Sequence, residues 1–209
     1  PEFFTINDNG ILVILDNTLV NCNGYSKELI ADLKQYSTSQ FVTVSSASAE
    51  SMNTFLQLSL MVDNNIKTLV NFAVTNEITG IELNFEDFGS WTEKDYTNFK
   101  TFINLLGTAL HRENKKLMVV GPPIANAIEE KRFLWRYEDF TSLPIDYMVV
   151  MGYDYQYDHG ANEPISPLTW LRDVIVWISA SYPLEKLTIA LPSYGYEGQI
   201  DTDKFSILT

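Results

Sequence analysis

The chain has 209 residues, 45% of them apolar and 20% charged, which is ordinary for a folded domain that buries a sizeable core. Its 27 acidic and 14 basic residues leave a net charge of −13, which disfavours nucleic acid and anionic membrane surfaces as partners but is indifferent to a neutral sugar. No apolar run approaches the roughly 18 residues of a membrane span, and no signal peptide opens the sequence, which we expect to be part of a longer protein.

Short runs rich in β-branched and aromatic residues recur along the chain and predict buried strands. Their starts lie roughly 30 or more residues apart, which is the length of a strand with its crossover helix. In chain order the predicted strands cover residues 11–16, 41–46, 80–86, 116–122, 147–154 and 186–192.

Helical periodicity fills the segments between these strands. The clearest helix is predicted within residues 90–116, with Ser90 or Thr92 as its N-terminal cap. Its apolar face carries Tyr96, Phe99, Ile103, Leu106 and Leu110. Residues 48–77 are predicted to be helical in two pieces, and a further helix is predicted after Pro167.

The alternation of strands and helices predicts a parallel sheet covered by helices, either an open doubly wound sheet or a closed barrel. Neither GxGxxG nor GxxxxGK[ST] follows any predicted strand, so the nucleotide-binding form of the open sheet lacks its main support. No linker or low-complexity tract divides the sequence, and we treat residues 1–209 as a single domain.

Few side chains are available for metal or thiol chemistry. Cys22 is the single cysteine, which excludes an internal disulfide and a cysteine-based metal cluster. With His111 and His159 as the two histidines, a histidine zinc site or a Ser-His-Asp triad has little material. We therefore expect neither a metal nor a cofactor.

The segment GIELNFEDF, residues 80–88, places Glu82, Asn84 and Glu86 on one face of a predicted strand and apolar side chains on the other. A covered strand of a parallel sheet is normally apolar on both faces, and burying an unpaired carboxylate costs several kcal/mol or more. These groups therefore need partners, water or a ligand. A solvent-facing polar face is one alternative; in a barrel they would line the interior, with Glu86 nearest the C-terminal rim where barrel sites lie.

Aromatic residues and a carboxylate follow two other predicted strands. One run ends in Tyr153, Asp154, Tyr155 and Tyr157, and another ends in LPSYGYEG, which contains Tyr194. Aromatic faces stack on pyranose rings and carboxylates act on the glycosidic oxygen, so these strand ends are typical of a sugar site. The alternative is that the tyrosines cap the rim with satisfied hydroxyls.

At these residues the sequence resembles glycoside hydrolase family 18, the chitinases and chitinase-like proteins. The family's fourth barrel strand carries D-G-x-D-x-D-x-E, matched by residues 79–86; its sixth ends in M-x-Y-D, matched by 151–154; its seventh reads K-L-x-x-G-x-P-x-Y-G, matched by 186–195. Residues 3–12 resemble the end of the second strand and its hairpin, and residues 116–123 resemble the fifth strand.

The resemblance implies an α/β fold of the (β/α)8 TIM-barrel type, with strands two to seven visible and the first and eighth not. We therefore expect an incomplete barrel and a fragment of a longer protein. The resemblance also implies a secreted protein whose partner is an N-acetylglucosamine-containing oligo- or polysaccharide, chitin among them. We expect a monomer that binds neither nucleic acid nor membranes.

Within the fourth-strand motif, Glu86 keeps the position of the general acid, whereas Asn84 replaces the Asp that orients the substrate acetamido group. Glu82 replaces the Asp one step lower and Thr79 the first Asp. The resemblance implies a substrate-assisted, retaining mechanism, in which the acid protonates the leaving oxygen while the 2-acetamido carbonyl attacks the anomeric carbon. Tyr153 is implied to hydrogen-bond that carbonyl.

The remaining site residues follow from the same resemblance. Asp154 is implied to contact the sugar at the cleavage subsite, and Glu82, Tyr155 and Tyr194 are expected to bind substrate. Asn84 can accept the acetamido N–H but offers no negative charge to the cationic ring, so we expect catalysis that is weaker than with Asp. Related endo-β-N-acetylglucosaminidases use Asn at this position.

Three hypotheses remain open on the sequence. The first is a glycosidase of chitinase or endo-β-N-acetylglucosaminidase type that cleaves β-1,4-linked N-acetylglucosamine-containing glycans. The second is a chitinase-like lectin, which the altered Asp positions favour and the retained Glu86 opposes. The third is a structural barrel in which Glu82, Asn84 and Glu86 form a satisfied internal network.

Overall fold

The computed structural model of the chain describes residues 1–15, 24–57, 59–160, 162–199 and 204–208. The strands are β1 Glu2–Ile6, β2 Leu12–Ile14, β3 Phe41–Ser46, β4 Gly80–Phe85, β5 Lys116–Gly121, β6 Tyr147–Met151, β7 Leu187–Ala190, β8 Gly195–Gln199 and β9 Lys204–Leu208. The α-helices are α1 Lys27–Tyr36, α2 Ala49–Gln57, α3 Ser59–Thr75, α4 Glu93–Arg112, α5 Ala127–Phe133, α6 Gln156–His159 and α7 Leu168–Ser179. None of the helices in the described part of the chain is long and apolar enough to cross a lipid bilayer.

The strands form one seven-stranded sheet and a separate antiparallel hairpin of β8 with β9. The sheet order is β2-β1-β3-β4-β5-β6-β7, and every neighbouring pair is parallel except β1 with β2. The parallel strands fit the predicted second to seventh strands of a TIM-type barrel. Within the described residues β2 and β7 are the two edges of the sheet, which confirms the expectation of an incomplete barrel.

The sheet curls in the manner of a barrel. The rings of Phe41 on β3 and Tyr147 on β6 meet edge to face with centroids 5.8 Å apart, although β4 and β5 lie between these strands. In a flat sheet the two strands would be about 14 Å apart, since neighbouring strands are spaced by about 4.8 Å. Lys116 on β5 donates a 2.9 Å hydrogen bond to the Tyr147 hydroxyl inside the same curve.

The two faces of this curled sheet differ in composition and burial. The outer face packs under the helices and is apolar and fully buried; it includes Val44, Leu83, Phe85, Val119 and Val150. The inner face is half-buried and largely polar on β3 and β4; it includes Thr43, Ser45, Glu82 and Asn84. The predicted alternation of apolar and polar side chains in residues 80–86 is thus confirmed: the apolar side chains face the helices, and the polar side chains of β4 face the interior of the curl.

The prediction that residues 11–16 form a strand of the parallel sheet is wrong, because this segment does not join the parallel series. Leu12–Ile14 pairs antiparallel with β1, and Asp16 lies outside the described residues. The reason is the turn between the two strands: the Asn7 side chain accepts hydrogen bonds from the backbone N–H groups of Asn9 and Ile11 at 3.1 and 3.0 Å. Gly10 completes the turn with a φ of +68°, a conformation that glycine adopts without strain. The parallel strand of this region is β1.

The predicted helices are confirmed, and three others in the described part of the chain, α1, α5 and the four-residue α6, went unpredicted. Thr92 rather than Ser90 caps α4, through a reciprocal capping box with Asp95, and residues 48–77 form two helices. The unpredicted helices α1 and α5 bury little: Ile30 is the buried residue of α1, and none is buried in α5. Neither therefore carries the broad apolar stripe by which a helix is recognised in a sequence.

We predict that Gly80→Ala destabilises the fold, because a Cβ at this position would lie 2.0 Å from the Lys116 carbonyl oxygen and 2.9 Å from Cε1 of Phe41. Overpacking against backbone that cannot move away should lower the free energy of unfolding by about 2 kcal/mol or more, measured by urea denaturation. Gly89→Ala is the matched control, since no atom lies within 4 Å of its Cβ. Equal stability of the two variants would contradict the close packing of β4 against β5.

Candidate functional site

Glu82 is held on the inner face of β4 by the neighbouring strand. In the sheet register it lies between Thr43 of β3 and Met118 of β5, and the Thr43 hydroxyl donates a hydrogen bond to its Oε2. A hydrogen-bonded and half-buried carboxylate of this kind keeps a fixed orientation within the curl. Thr43 belongs to the site without having been predicted from the sequence, because only the register between strands pairs it with Glu82.

Asn84, two residues further along β4, has one end of its amide bound and the other free. Its Nδ2 donates a 2.8 Å hydrogen bond to Oε1 of Glu86. Its Oδ1 is buried and has no hydrogen-bond partner among the described residues. The opposite orientation of the amide would set Oδ1 against the carboxylate oxygen of Glu86, so the bond to Glu86 determines which end stays free. The site therefore presents a buried acceptor beside a carboxylate.

Glu86 follows the last residue of β4, and its backbone is fixed on both sides. Its N–H donates to the Ser46 carbonyl at 2.8 Å, and its own carbonyl accepts a 2.9 Å hydrogen bond from Nε1 of Trp91. Trp91 is buried, whereas the Glu86 side chain is exposed at the C-terminal rim. The position at the rim is the one predicted for the general acid, although its catalytic role stays a prediction.

Tyr153 lies among the carboxylates of this rim. Burial, which is the largest cause, and the negative charges of Glu86, Asp154 and Glu82 together raise the pKa of its hydroxyl from 10.0 to about 12. The same three charges act on one hydroxyl because only β5 separates β4 from β6 in the curled sheet. At neutral pH Tyr153 is therefore a protonated hydrogen-bond donor.

Asp154 is held by two tyrosines that lie 40 and 42 positions further along the chain. The hydroxyls of Tyr194 and Tyr196 both donate to its Oδ1, at 2.8 and 3.0 Å. The backbone of Asp154 has a φ of +63°, in the left-handed region that few non-glycine residues adopt. The strand predicted for residues 147–154 is shorter than expected, since β6 ends at Met151, three residues before Asp154. Tyr194 was predicted as a site residue and Tyr196 was not, although their spacing of two places both side chains on one face of the chain.

Tyr155 borders a side pocket of about 120 Å³ next to Tyr153 and Asp154. Its ring stacks on His159 at a centroid distance of 3.6 Å and contacts Trp170 at 5.1 Å. The predicted residues of β4 are not among those lining this pocket. The structure thus brings Tyr153, Asp154 and Tyr155 to one pocket and joins Tyr153 to the β4 residues through charge, and the substrate-binding role of Tyr155 stays a prediction.

In the ranges that the structure describes, no three His, Cys, Asp or Glu side chains are arranged to share a metal ion. The expectations that the site uses neither metal nor cofactor remain predictions. The chemistry open to the described side chains is proton transfer by Glu86, hydrogen-bond donation by Tyr153 and acceptance by Asn84.

We predict that Tyr153 makes the folded state less stable as the pH rises from 10 towards 12. The unfolded chain releases this proton near pH 10.0 and the folded chain near pH 12, so stability that is present below pH 10 is lost across this window. The urea midpoint of Tyr153→Phe should therefore fall less steeply between pH 9.5 and 11.5, roughly the span of that titration, than the wild-type midpoint. Tyr36→Phe, which removes an exposed tyrosine, is the control for loss of a phenol as such. Parallel curves for wild type and Tyr153→Phe would contradict the burial of this hydroxyl.

The chain is similar in sequence and fold to several known proteins. The Cortical fragment-lytic enzyme of Bacillus subtilis (strain 168) is 25% identical over 113 residues, which are 53% of this chain and 26% of that protein. The crystal structure of a chitinase from Chromobacterium violaceum superposes with a TM-score of 0.77 at 23% identity, covering 94% of this chain and 61% of that one. The Bacillus cereus spore cortex-lytic enzyme SleL superposes with a TM-score of 0.78 at 16% identity, covering 99% and 46%.

These likenesses have a defined extent. The chain spans about a quarter of the length of the curated relative named above, and 61% and 46% of the two solved chains. At these identities the solved structures establish the fold. The family model described as Glycosyl hydrolases family 18 matches residues 2–206, nearly the whole sequence. The motifs on β4, β6 and β7, the curled parallel sheet and this match agree: the chain belongs to glycosyl hydrolases family 18.

Proposed function

We propose that the protein is a glycoside hydrolase that cleaves β-1,4-linked N-acetylglucosamine-containing glycans by a substrate-assisted, retaining mechanism. The observation that carries the proposal is the pairing on β4 of an unpartnered buried acceptor, Oδ1 of Asn84, with the carboxyl group of Glu86. An acetamido group offers the N–H that this acceptor lacks, and the glycosidic oxygen beside it needs the proton that Glu86 can supply.

In the proposed reaction, Glu86 donates its proton to the glycosidic oxygen as the bond between that oxygen and the anomeric carbon breaks. The 2-acetamido carbonyl oxygen of the same sugar attacks the anomeric carbon and forms an oxazolinium ion. Glu86, now a carboxylate, removes a proton from a water that attacks the anomeric carbon. Ring opening regenerates the acetamido group, and the configuration at the anomeric carbon is retained because two inversions have occurred.

Each neighbouring group has a part in holding the acetamido group in this reaction. Asn84 accepts its N–H, and Tyr153, which burial and nearby charge keep protonated, donates to its carbonyl oxygen. Glu82 lies two residues before Asn84 on β4, and Thr43 of β3 orients its carboxylate. This carboxylate supplies negative charge beneath the developing cation. Asp154 contacts the sugar from the segment that follows β6.

The structural hypothesis is the least supported of the three. A satisfied internal network would leave no polar atom free, yet Oδ1 of Asn84 is buried without a partner in the described chain and the Glu86 side chain is exposed. The lectin hypothesis rests on one observation, the neutral amide of Asn84 where the family motif has a carboxylate. Turnover separates it from the hydrolase.

The names of the relatives suggest two sources of the glycan. Matches include a chitinase and enzymes named for spore cortex lysis, so chitin oligomers and bacterial wall glycan are the substrates to compare. Both are polymers that lie outside the cytoplasm, and we extend the proposal to a monomeric protein that acts outside the cell. Fractionation of a culture that expresses the gene tests this extension: protein in the medium supports it, and protein confined to the cytoplasmic fraction contradicts it.

We predict that Glu86→Gln lowers the hydrolysis rate of a soluble N-acetylglucosamine oligomer by about 10²–10⁴-fold, because the amide cannot donate the proton in the transition state. Binding of the same oligomer, measured by calorimetry, should stay within about threefold of wild type, since Gln keeps the size and polarity of the side chain. Glu113→Gln is the matched control: this exposed Glu follows α4 at the opposite end of the strands.

The outcomes of this experiment separate the hypotheses. Cleavage by wild type and by Glu113→Gln, with loss in Glu86→Gln, supports the hydrolase with Glu86 as the acid. Binding by all three proteins without cleavage of either chitin oligomers or wall glycan would favour the lectin. Absence of both binding and cleavage would overturn the sugar function.

We predict that Asn84→Asp accelerates hydrolysis several-fold, because a carboxylate stabilises the cationic intermediate. Asn84→Leu should slow hydrolysis roughly tenfold or more, because an alkyl group neither accepts the acetamido N–H nor stabilises the cation. Asn64→Asp, which adds the same charge at an exposed position of α3, controls for the change in net charge. If Asn84→Leu retained the full rate, the acetamido-binding role of Asn84 would be wrong.

A further inference from the structure

The carboxyl group of Asp154 is bound unevenly. Both tyrosine hydroxyls, of Tyr194 and of Tyr196, donate to the same oxygen, Oδ1. None of the hydrogen bonds within the described part of the chain uses Oδ2. Two donors on one oxygen fix the plane and direction of the carboxylate, and they leave the other oxygen available to a ligand.

The backbone beneath this carboxylate is fixed as well. Asp154 has a φ of +63°, a conformation that is unfavourable for a residue with a Cβ and that persists where surrounding contacts hold it. The N–H of Tyr157 donates to its carbonyl at 3.1 Å and closes the turn that leads into α6. The carboxyl group therefore leaves β6 in a direction that a regular strand would not give it.

A chain of tyrosine rings holds the two donors in place. Tyr194 meets Tyr153 edge to face at 6.4 Å, and Tyr196 meets Tyr194 at 5.4 Å and Tyr157 at 5.5 Å in the same manner. Edge-to-face pairs of this kind are favourable beyond the apolar area that they bury. Through these contacts, Tyr194 and Tyr196 pack against the turn that follows β6.

Both hydroxyls remain donors at neutral pH. Burial raises the pKa of Tyr194, and its hydrogen bond to the Asp154 carboxylate raises it further. Burial likewise raises the pKa of Tyr196, with additional contributions from its bonds to Tyr157 and to Asp154. A protonated phenol facing a carboxylate is the arrangement that a charge-assisted hydrogen bond requires.

We propose that Tyr196 is a positioning residue for the reaction: together with Tyr194 it holds Asp154 by Oδ1, so that Oδ2 is presented to a hydroxyl or amide of the sugar at the cleavage subsite. This inference rests on the proposed glycosidase function. Since Tyr196 lies on β8, the proposal gives this strand a part in positioning the site.

The test is a double-mutant cycle on hydrolysis of a soluble N-acetylglucosamine oligomer. Tyr196→Phe keeps the ring contacts and removes the hydroxyl, and it should lower kcat/KM about tenfold, the usual effect of losing a hydrogen bond to a charged group. Asp154→Asn should lower it at least as much. In the double variant the second change should cost nothing further, since the proposed effect of the Tyr196 hydroxyl on the reaction passes through Asp154. Tyr36→Phe, on an exposed tyrosine, should match wild type.

A purely structural role gives a different pattern, which thermal unfolding of the same proteins reveals. In that case Tyr196→Phe lowers Tm and its loss in kcat/KM persists in full when Asp154 is already Asn. Either that result or a Tyr196→Phe enzyme as active as Tyr36→Phe overturns the positioning role while leaving the glycosidase intact. Wild-type protein with neither turnover nor oligomer binding would overturn the proposed function itself, and this inference with it.

Discussion

The burial of alternate side chains of β4 beneath the helices is the constraint on which the site depends. Ile81, Leu83 and Phe85 are completely shielded from solvent, and each such side chain stabilises the fold by about 1.5–3 kcal/mol. A slip of one residue would turn these side chains into the curl and bury the carboxylates under the helices, at a cost of several kcal/mol for each charge. The packing of the core thereby determines that Glu82 and Asn84 face inward and that Glu86 emerges at the rim.

Negative charge is concentrated within the curl, and this concentration has a chemical consequence. Burial and the charges of Glu86, Asp154 and Glu82 raise the pKa of the Tyr153 hydroxyl, which stays protonated at neutral pH. An arrangement of carboxylates around a neutral donor repels anions and suits a neutral sugar that passes through a cationic transition state. The same field is consistent with the acidic composition of the whole chain, with its net charge of −13.

Two kinds of support hold the site residues. On β4 the supports are neighbouring strands and the buried Trp91, which bind the backbone of Glu86 and the side chain of Glu82. Around Asp154 they are aromatic rings and hydroxyls from a hairpin far along the chain. Asn84 has a neutral amide where the family motif has a carboxylate, so the polar face of β4 carries less negative charge. A hydrogen-bond acceptor is kept at this position, because an amide oxygen accepts hydrogen bonds as a carboxylate oxygen does.

The sequence alone determined the strands from β3 to β7, the apolar face of α4 and the common orientation of Glu82, Asn84 and Glu86, because periods of 2 and 3.6 residues are local properties of the chain. Only the tertiary structure decided that Leu12–Ile14 turns back on β1, that Thr43 binds Glu82 and that Tyr196 reaches Asp154. The last two contacts join residues 39 and 42 positions apart. Contacts of this range follow from strand register and the curl of the sheet, which the packing of all the elements sets together and no local pattern encodes.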